Sequence, residues 1–328
     1  MKAIYLASVN AYAGKNTVCA GLASRLARMG KKVGYFKPYG VLPVLHQGVL
    51  TDSDALFFKK ALGLQDSLQD ICPVVVDSAS AASIFSGAGL NAKERILKGF
   101  EAVAKGKDAV LCAGLGGLAA GLAAGFAVPE IVAATGASVL MIDSFHWVME
   151  SIDGILHARQ ALGASLAGVV FNRVSDGAAA QVKNGAVPFL ERQGVSVFGV
   201  IPADPILSAV PAREIVSALN GRVLTTTASL DELIEGFTIG AMHVQAAQQF
   251  FIHCAQRAVI TGGDRADIQA AAIESRVKCL ILTGGLYPSE RILVRADEAG
   301  IPVILVNQDT ATAISACEIL AHHLTLNS

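Results

Sequence analysis

Short apolar runs alternate with amphipathic stretches along most of the chain. KAIYLASV (2–9), KKVGYFKP (31–38), DAVLCA (108–113), ASVLMID (137–143), LAGVVFN (166–172) and VSVFGVIP (195–202) read as strands. Helical periodicity runs between them over 16–29, 51–64, 91–105, around 150–162 and around 178–192. Strand and helix in strict alternation predict an α/β fold, a doubly wound parallel sheet covered by helices. Near residue 220 the rhythm changes. NGRVLTTTASLDELIEG breaks it, an Ala/Gln-rich helix follows through 242–253, and three further strand–turn–helix steps complete the chain. The expected organisation is a first domain over 1–219 and a second, smaller α/β domain over 220–328.

Composition agrees with buried parallel strands. Apolar residues make up 53% of the 328 positions and aromatics only 6%, so Ala, Val, Ile and Leu must fill the core. Lys plus Arg number 26 against 27 Asp plus Glu, a net charge of -1 that offers no field for nucleic acid. Six scattered cysteines show neither close pairs nor metal-like spacing, and read as reduced core thiols of a cytoplasmic protein. Residues 109–129 carry no charge, yet their glycines and Pro129 fit a buried strand and loop rather than a membrane span. No signal peptide is read at the start of the chain.

Ligands on open parallel sheets gather beyond the carboxyl ends of the strands. Lys15, Lys37, the 113–117 loop and Asn172 all fall at such ends. The stretch SVNAYAGKNTVCAGLASRL (8–26) joins an apolar strand to a helix through a loop that carries Gly14-Lys15. A phosphate loop needs glycines for close approach, a lysine for the outer phosphates and a hydroxyl for magnesium. Gly14 and Lys15 are correctly placed for this. Val9, or Ser8 in a loop one residue longer, takes the early-glycine position, Asn16 takes the hydroxyl position, and Thr17 comes one step late. Two readings stay open: an anion site, or a glycine that starts a helix beside a solvated lysine.

These residues, together with YFKPYG (35–40), DSDALFFKKALGL (52–64), AGLGG (113–117), GVVFNRV (168–174) and IPADPILSAVPAREI (201–215), resemble a known group. It is the dethiobiotin synthetase-like P-loop domain found also at the N-terminus of some phosphotransacetylases. Residues 220–320 resemble the DRTGG domain that accompanies this module, through GAMHVQAAQQFF, VITGGDRADIQAAAIES and DTATAISA. The resemblance implies a P-loop NTPase-like sheet in which Lys15 contacts phosphates and Lys37 faces both phosphate and an acidic or carbamate substrate. It implies that Asp54, or its neighbour Asp52, lies toward the metal and that Asn172 reads the adenine edge. Asp52 and Asp54 could equally cap the 52–61 helix, and Asn172 could cap a turn.

The sharpest departure is Ala113, which stands where the related pattern has a magnesium-binding glutamate before GxGG. With Asn16, two expected magnesium contacts are replaced. The reading favoured is a regulatory or scaffold protein on a degenerate P-loop fold that binds a nucleotide or another small anion at Ser8, Gly14, Lys15, Asn16, Thr17 and Asn172. It is expected to form a homo-oligomer and to meet a protein partner, with neither nucleic acid nor membrane involved. The alternative is an ATP-dependent carboxylate- or amine-activating ligase with Lys15 and Lys37 catalytic, so the cofactor is ATP with Mg2+ or none. The sequence stops where a phosphotransacetylase continues into its acetyl-transfer domain, and that transfer is not expected of these residues. In the second domain, Gly263, Asp264 and Arg265 mark a turn for a ligand or a partner, with Asp264 capping the helix and Arg265 meeting an anion. A purely structural turn is the reading favoured there, with the ligand or partner contact its alternative.

Overall fold

Strands apolar on both faces have to be covered on both faces, and the chain does this twice. A computed structural model describes residues 1–10 and 13–322; Ala11 and Tyr12 of the phosphate-loop stretch lie outside the described residues. The chain divides into two units, Met1–Ala203 and one that begins at Asp204. This division falls ahead of the break expected at 219. The physical reason is helix Ala212–Ala218, whose Ile215, followed by Leu219, packs into one core with Ile260, Ile281 and Ile304 of the second unit.

The first unit is built on six parallel strands: β1 (Lys2–Ser8), β2 (Val33–Phe36), β3 (Ala109–Ala113), β4 (Ser138–Asp143), β5 (Leu166–Val174) and β6 (Val197–Pro202). Their order across the sheet is β6-β5-β4-β1-β3-β2. The register sets Leu6 of β1 opposite Ala113 of β3, and Ser8 opposite Ile142 of β4. The loops after β1, β3 and β4 therefore leave the sheet side by side, at the point where the chain order reverses. Leu6, Val110, Leu111, Val139, Ile142 and Phe171 are buried along the middle of the sheet. Helix α1 (Lys15–Arg28) buries Cys19 and Ala23 and ends at Gly30, whose φ of 72° suits glycine.

One expected element starts late. The periodicity suggests a helix over 51–64, but helix α2 runs over Ser53–Ala61. Val49–Asp52 instead pairs antiparallel with Pro43–His46 as a hairpin, turning at Gln47-Gly48 with both φ values positive. The uncharged 109–129 segment is strand β3 followed by loop and a short helical turn at Leu122–Ala124. Among the described residues no helix is long and apolar enough to cross a membrane.

The second unit holds a five-stranded sheet in the order Arg222–Val223, Val303–Leu305, Cys279–Thr283, Ala258–Gly262, Phe237–Ile239. Only the first pair is antiparallel. Helices Val244–Phe251, Ala266–Glu274, Glu290–Ala299 and Thr310–His322 accompany it. All six cysteines of the chain are free and buried, as core thiols should be.

Candidate functional site

Hydrogen bonds link Ser8 to both Asn10 and Lys15 at the phosphate-loop stretch. Ser8, fully buried, donates its hydroxyl to the Asn10 carbonyl at 2.6 Å, and Lys15 Nζ donates to Ser8 Oγ at 2.8 Å. Gly14 caps α1 with φ 81°. Asn172, at the end of β5, is buried and donates Nδ2 to the Ala13 carbonyl at 2.9 Å. A Cβ on Gly14 would lie 2.2 Å from that same Nδ2, so the glycine answers both a backbone and a packing demand. No side chain caps α1 and its first turn holds no acid, which leaves the positive end of the helix dipole toward the loop.

Lys15 makes no salt bridge among the described residues. Burial, reinforced by the neighbouring Lys37 ammonium and opposed by Asp54, pushes its pKa down from about 10.5 to about 8. Its charge is thus held at a cost in the free protein, and an arriving anion would relieve that cost. Between about pH 8 and 10.5 the unfolded chain keeps this proton more readily than the fold does, so the Lys15 contribution to stability improves as pH rises through that window.

Lys37 is placed differently. It ends β2, where its backbone N–H donates to Ile71 O at 2.8 Å, and its side chain is almost wholly buried. Its ammonium lies 2.8 Å from Asp52 Oδ1 and also pairs with Asp54 Oδ2. Burial alone would depress its pKa; Asp54 and Asp52 outweigh burial and hold it above the ordinary lysine value. Asp52 caps α2, accepting from Asp54 N at 2.9 Å, and its Oδ2 accepts from Val41 N and Leu42 N, each at 2.9 Å. Gly40 is the residue that allows this. A Cβ there would stand 2.6 Å from Asp52 Cβ and 2.7 Å from Cys72 Sγ.

Of the remaining expected residues, the AGLGG loop is brought to the site. Gly114 N donates to Leu6 O at 2.9 Å and Ser8 N to Gly116 O at 3.3 Å, with Ala113 buried and apolar where a carboxylate was sought. Asn16 and Thr17 lie half-buried in the first turn of α1. Asn172 is at the loop, but its amide N–H braces Ala13. Among the described residues no group of three or more His, Cys, Asp and Glu could hold a metal ion.

In the second unit the structure supports the turn and corrects its details. A Cβ on Gly263 would fall 1.8 Å from Leu286 O, so close backbone approach requires glycine there. Asp264 does not cap the following helix: Arg265 holds the cap position, with no side-chain cap bond. Arg265 pairs with Asp267 and donates Nη2 to Met242 O at 3.1 Å, spending on its neighbours the charge expected to meet an anion. Gln269 was not anticipated. It is fully buried and donates Nε2 to both Gly262 O and Gly263 O at 3.0 Å, tying the helix to the turn.

Two further residues at the first site carry no signal in the pattern. Arg173 follows Asn172 with φ 60°, and its Cδ lies 3.4 Å from where a Gly14 Cβ would be; burial pulls its guanidinium below the ordinary range. Asp143, at the end of β4, is fully buried and accepts from Phe145 N at 2.9 Å. Only the position of each at the carboxyl end of its strand could have drawn notice.

Comparison with known proteins agrees with this geometry. Residues 2–211 match the AAA domain family and residues 214–319 match the DRTGG domain. The phosphate acetyltransferase of Synechocystis sp. is 26% identical over 335 residues, covering 97% of this chain and 47% of that protein. An ATP-dependent dethiobiotin synthetase of Caldicellulosiruptor saccharolyticus is 26% identical over 122 residues, 36% of this chain and 50% of its own. The CBS and DRTGG domains of the regulatory region of Clostridium perfringens pyrophosphatase, solved with the activator diadenosine tetraphosphate, share 30% identity over 35% of this chain and 49% of that one, at a TM-score of 0.32. The chain spans about half the length of the curated relatives it matches most fully.

Replacing Gly14 with Ala should lower stability by about 1–3 kcal/mol, since a left-handed alanine costs about 1–2 kcal/mol and the Asn172 amide must also move. The control is Gly30→Ala, which meets the same backbone cost with nothing within 4 Å. Urea unfolding of both variants checks this, and equal losses would show that Asn172 does not press on the loop. With loop, strand order and matches in agreement, the chain belongs to the AAA domain family over residues 2–211, in its dethiobiotin synthetase-like P-loop form, and carries a DRTGG domain behind it.

Proposed function

We propose that this chain is a regulatory module whose phosphate loop binds a nucleotide, or another phosphate-bearing anion, without turning it over. The observation that carries this reading is Lys15: an ammonium with no carboxylate partner among the described residues, held against its own solvation at a helix N-terminus without a side-chain cap. The residues that would add magnesium-dependent transfer are replaced, by Asn16 and Ala113, or engaged elsewhere, as Lys37 is. Under this reading Ser8, Gly14, Asn16, Thr17 and Asn172 shape the loop and the first turn around the phosphates. The DRTGG domain would pass on the bound state through self-association or a protein partner in the cytoplasm.

The ligase reading keeps one point in its favour, the closeness of the Lys15 and Lys37 ammoniums beyond the carboxyl ends of β1 and β2. Against it, an acidic substrate would have to draw Lys37 away from two aspartates in a nearly water-free place. The acetyl transfer named for the phosphate acetyltransferase relatives is not proposed for these residues.

Titration calorimetry with ATP and ADP tests the proposal. Micromolar binding is expected in the wild type, weakened roughly ten- to a hundredfold in Lys15→Ala, because hydrogen bonds to a charged group contribute about 1.5–3 kcal/mol. Hydrolysis should stay at the level of that variant. No binding at millimolar nucleotide would retire the proposal.

The same titration has an expected pH profile. Lys15 must be protonated to hold a phosphate, so affinity should be flat below about pH 8 and fall as pH rises beyond it, by at most about tenfold per unit. An affinity that stays constant to about pH 9.5 would mean that Lys15 does not carry the contact.

A further inference from the structure

We infer that the ammonium of Lys37 is a built-in replacement for the divalent cation of related P-loop enzymes, and that the site takes metal-free phosphate anions rather than their magnesium complexes. Asp54 and its neighbour Asp52, either of which the dethiobiotin synthetase pattern could turn toward a metal, both close on Lys37 Nζ. The second half of this proposal rests on the anion-binding reading; the first half does not.

The donor set does not fit magnesium. That ion demands near-octahedral oxygen coordination and parts with its waters reluctantly. A carboxylate has about four lone-pair sites. Those of Asp52 accept from Lys37 Nζ, Asp54 N, Val41 N and Leu42 N, so Asp52 has nothing left to offer. Asp54 Oδ2 is engaged by Lys37. Ala113 supplies no oxygen, and Asn16 supplies a neutral amide where a hydroxyl would sit. A metal would therefore have to compete with a cation that the fold itself delivers.

Lys37 is also hard to displace. Its backbone is fixed to Ile71, and outside the pair its ammonium would leave the buried Asp52 and the half-buried Asp54 carboxylates without that counter-charge. Lys15 and Lys37 together balance Asp52 and Asp54, so the four side chains carry no net charge before a ligand arrives. A phosphate then meets Lys15 and the helix N-terminus directly. Carrying its own magnesium, it would bring a second positive centre up to an ammonium already in place.

Two measurements decide the matter. In the first, electron paramagnetic resonance follows Mn2+ added to nucleotide-free protein, with circular dichroism confirming the fold. Wild type should leave millimolar Mn2+ free, whereas Lys37→Ala should bind it at least about tenfold more tightly, because Asp54 Oδ2 and the Asp52 Oδ1 position held by Lys37 are released. Mn2+ bound tightly by the wild type, or not taken up by a folded Lys37→Ala, would overturn the replacement. In the second, calorimetry compares ADP binding in EDTA and in excess Mg2+. Affinity should be equal or weaker with Mg2+; tightening by about tenfold or more would overturn the inference even where Lys37→Ala does not fold. If ADP does not bind at all, the anion-binding reading falls, while the Mn2+ experiment still judges Lys37.

Discussion

Around the Lys37 ammonium the first unit has little freedom. One buried charge ties together the end of β2, the close of the hairpin and the start of α2 through Asp52 and Asp54. Asp52 extends the tie to the Val41 and Leu42 amides, and Gly40 lets the backbone come close enough for it. Breaking a buried pair by removing one partner costs about 3–5 kcal/mol, because the remaining charge stays behind without compensation. The group that the resemblance turns toward substrate is in this structure paired with both aspartates.

What remains for a ligand is set by the contrast between two lysines. Lys37 is matched twice over, while among the described residues Lys15 has only a hydroxyl, with burial and its neighbour both working against its charge. The residues that flank the loop are nevertheless held near Lys15, Ser8 by its hydrogen bond and Ala13 by the Asn172 amide. A cation kept at a cost in a braced loop fits a binding role; a cation locked to two aspartates fits a structural one. On the proposed reading, phosphate recognition and phosphate chemistry come apart on one fold.

The strands of both sheets were legible in the sequence because burial on both faces leaves continuous apolar runs, as in Val110–Leu111 or Leu280–Ile281. The loop and its strand-end companions were legible for a topological reason, since β1 lies between β3 and β4. The hairpin was not. Its exposed Leu45 and Leu50 break the alternation of a half-buried strand, and Asp52 serves at once as strand end and helix cap. The choice between metal ligand and cap for Asp52 could be made only from its four partners, which are far from it in kind and include a lysine fifteen residues away. Gln269 and Arg173 were illegible for a similar reason: each acts on a turn that periodicity does not describe.

The most direct test is a crystal structure of the chain grown with ADP and Mn2+, with anomalous scattering to locate the metal. The account predicts Lys37 Nζ still between Asp52 and Asp54, the phosphates on Lys15 and the first turn of α1, and no anomalous peak among them. A manganese ion bound to Asp54, with Lys37 swung out toward the phosphates, would contradict it.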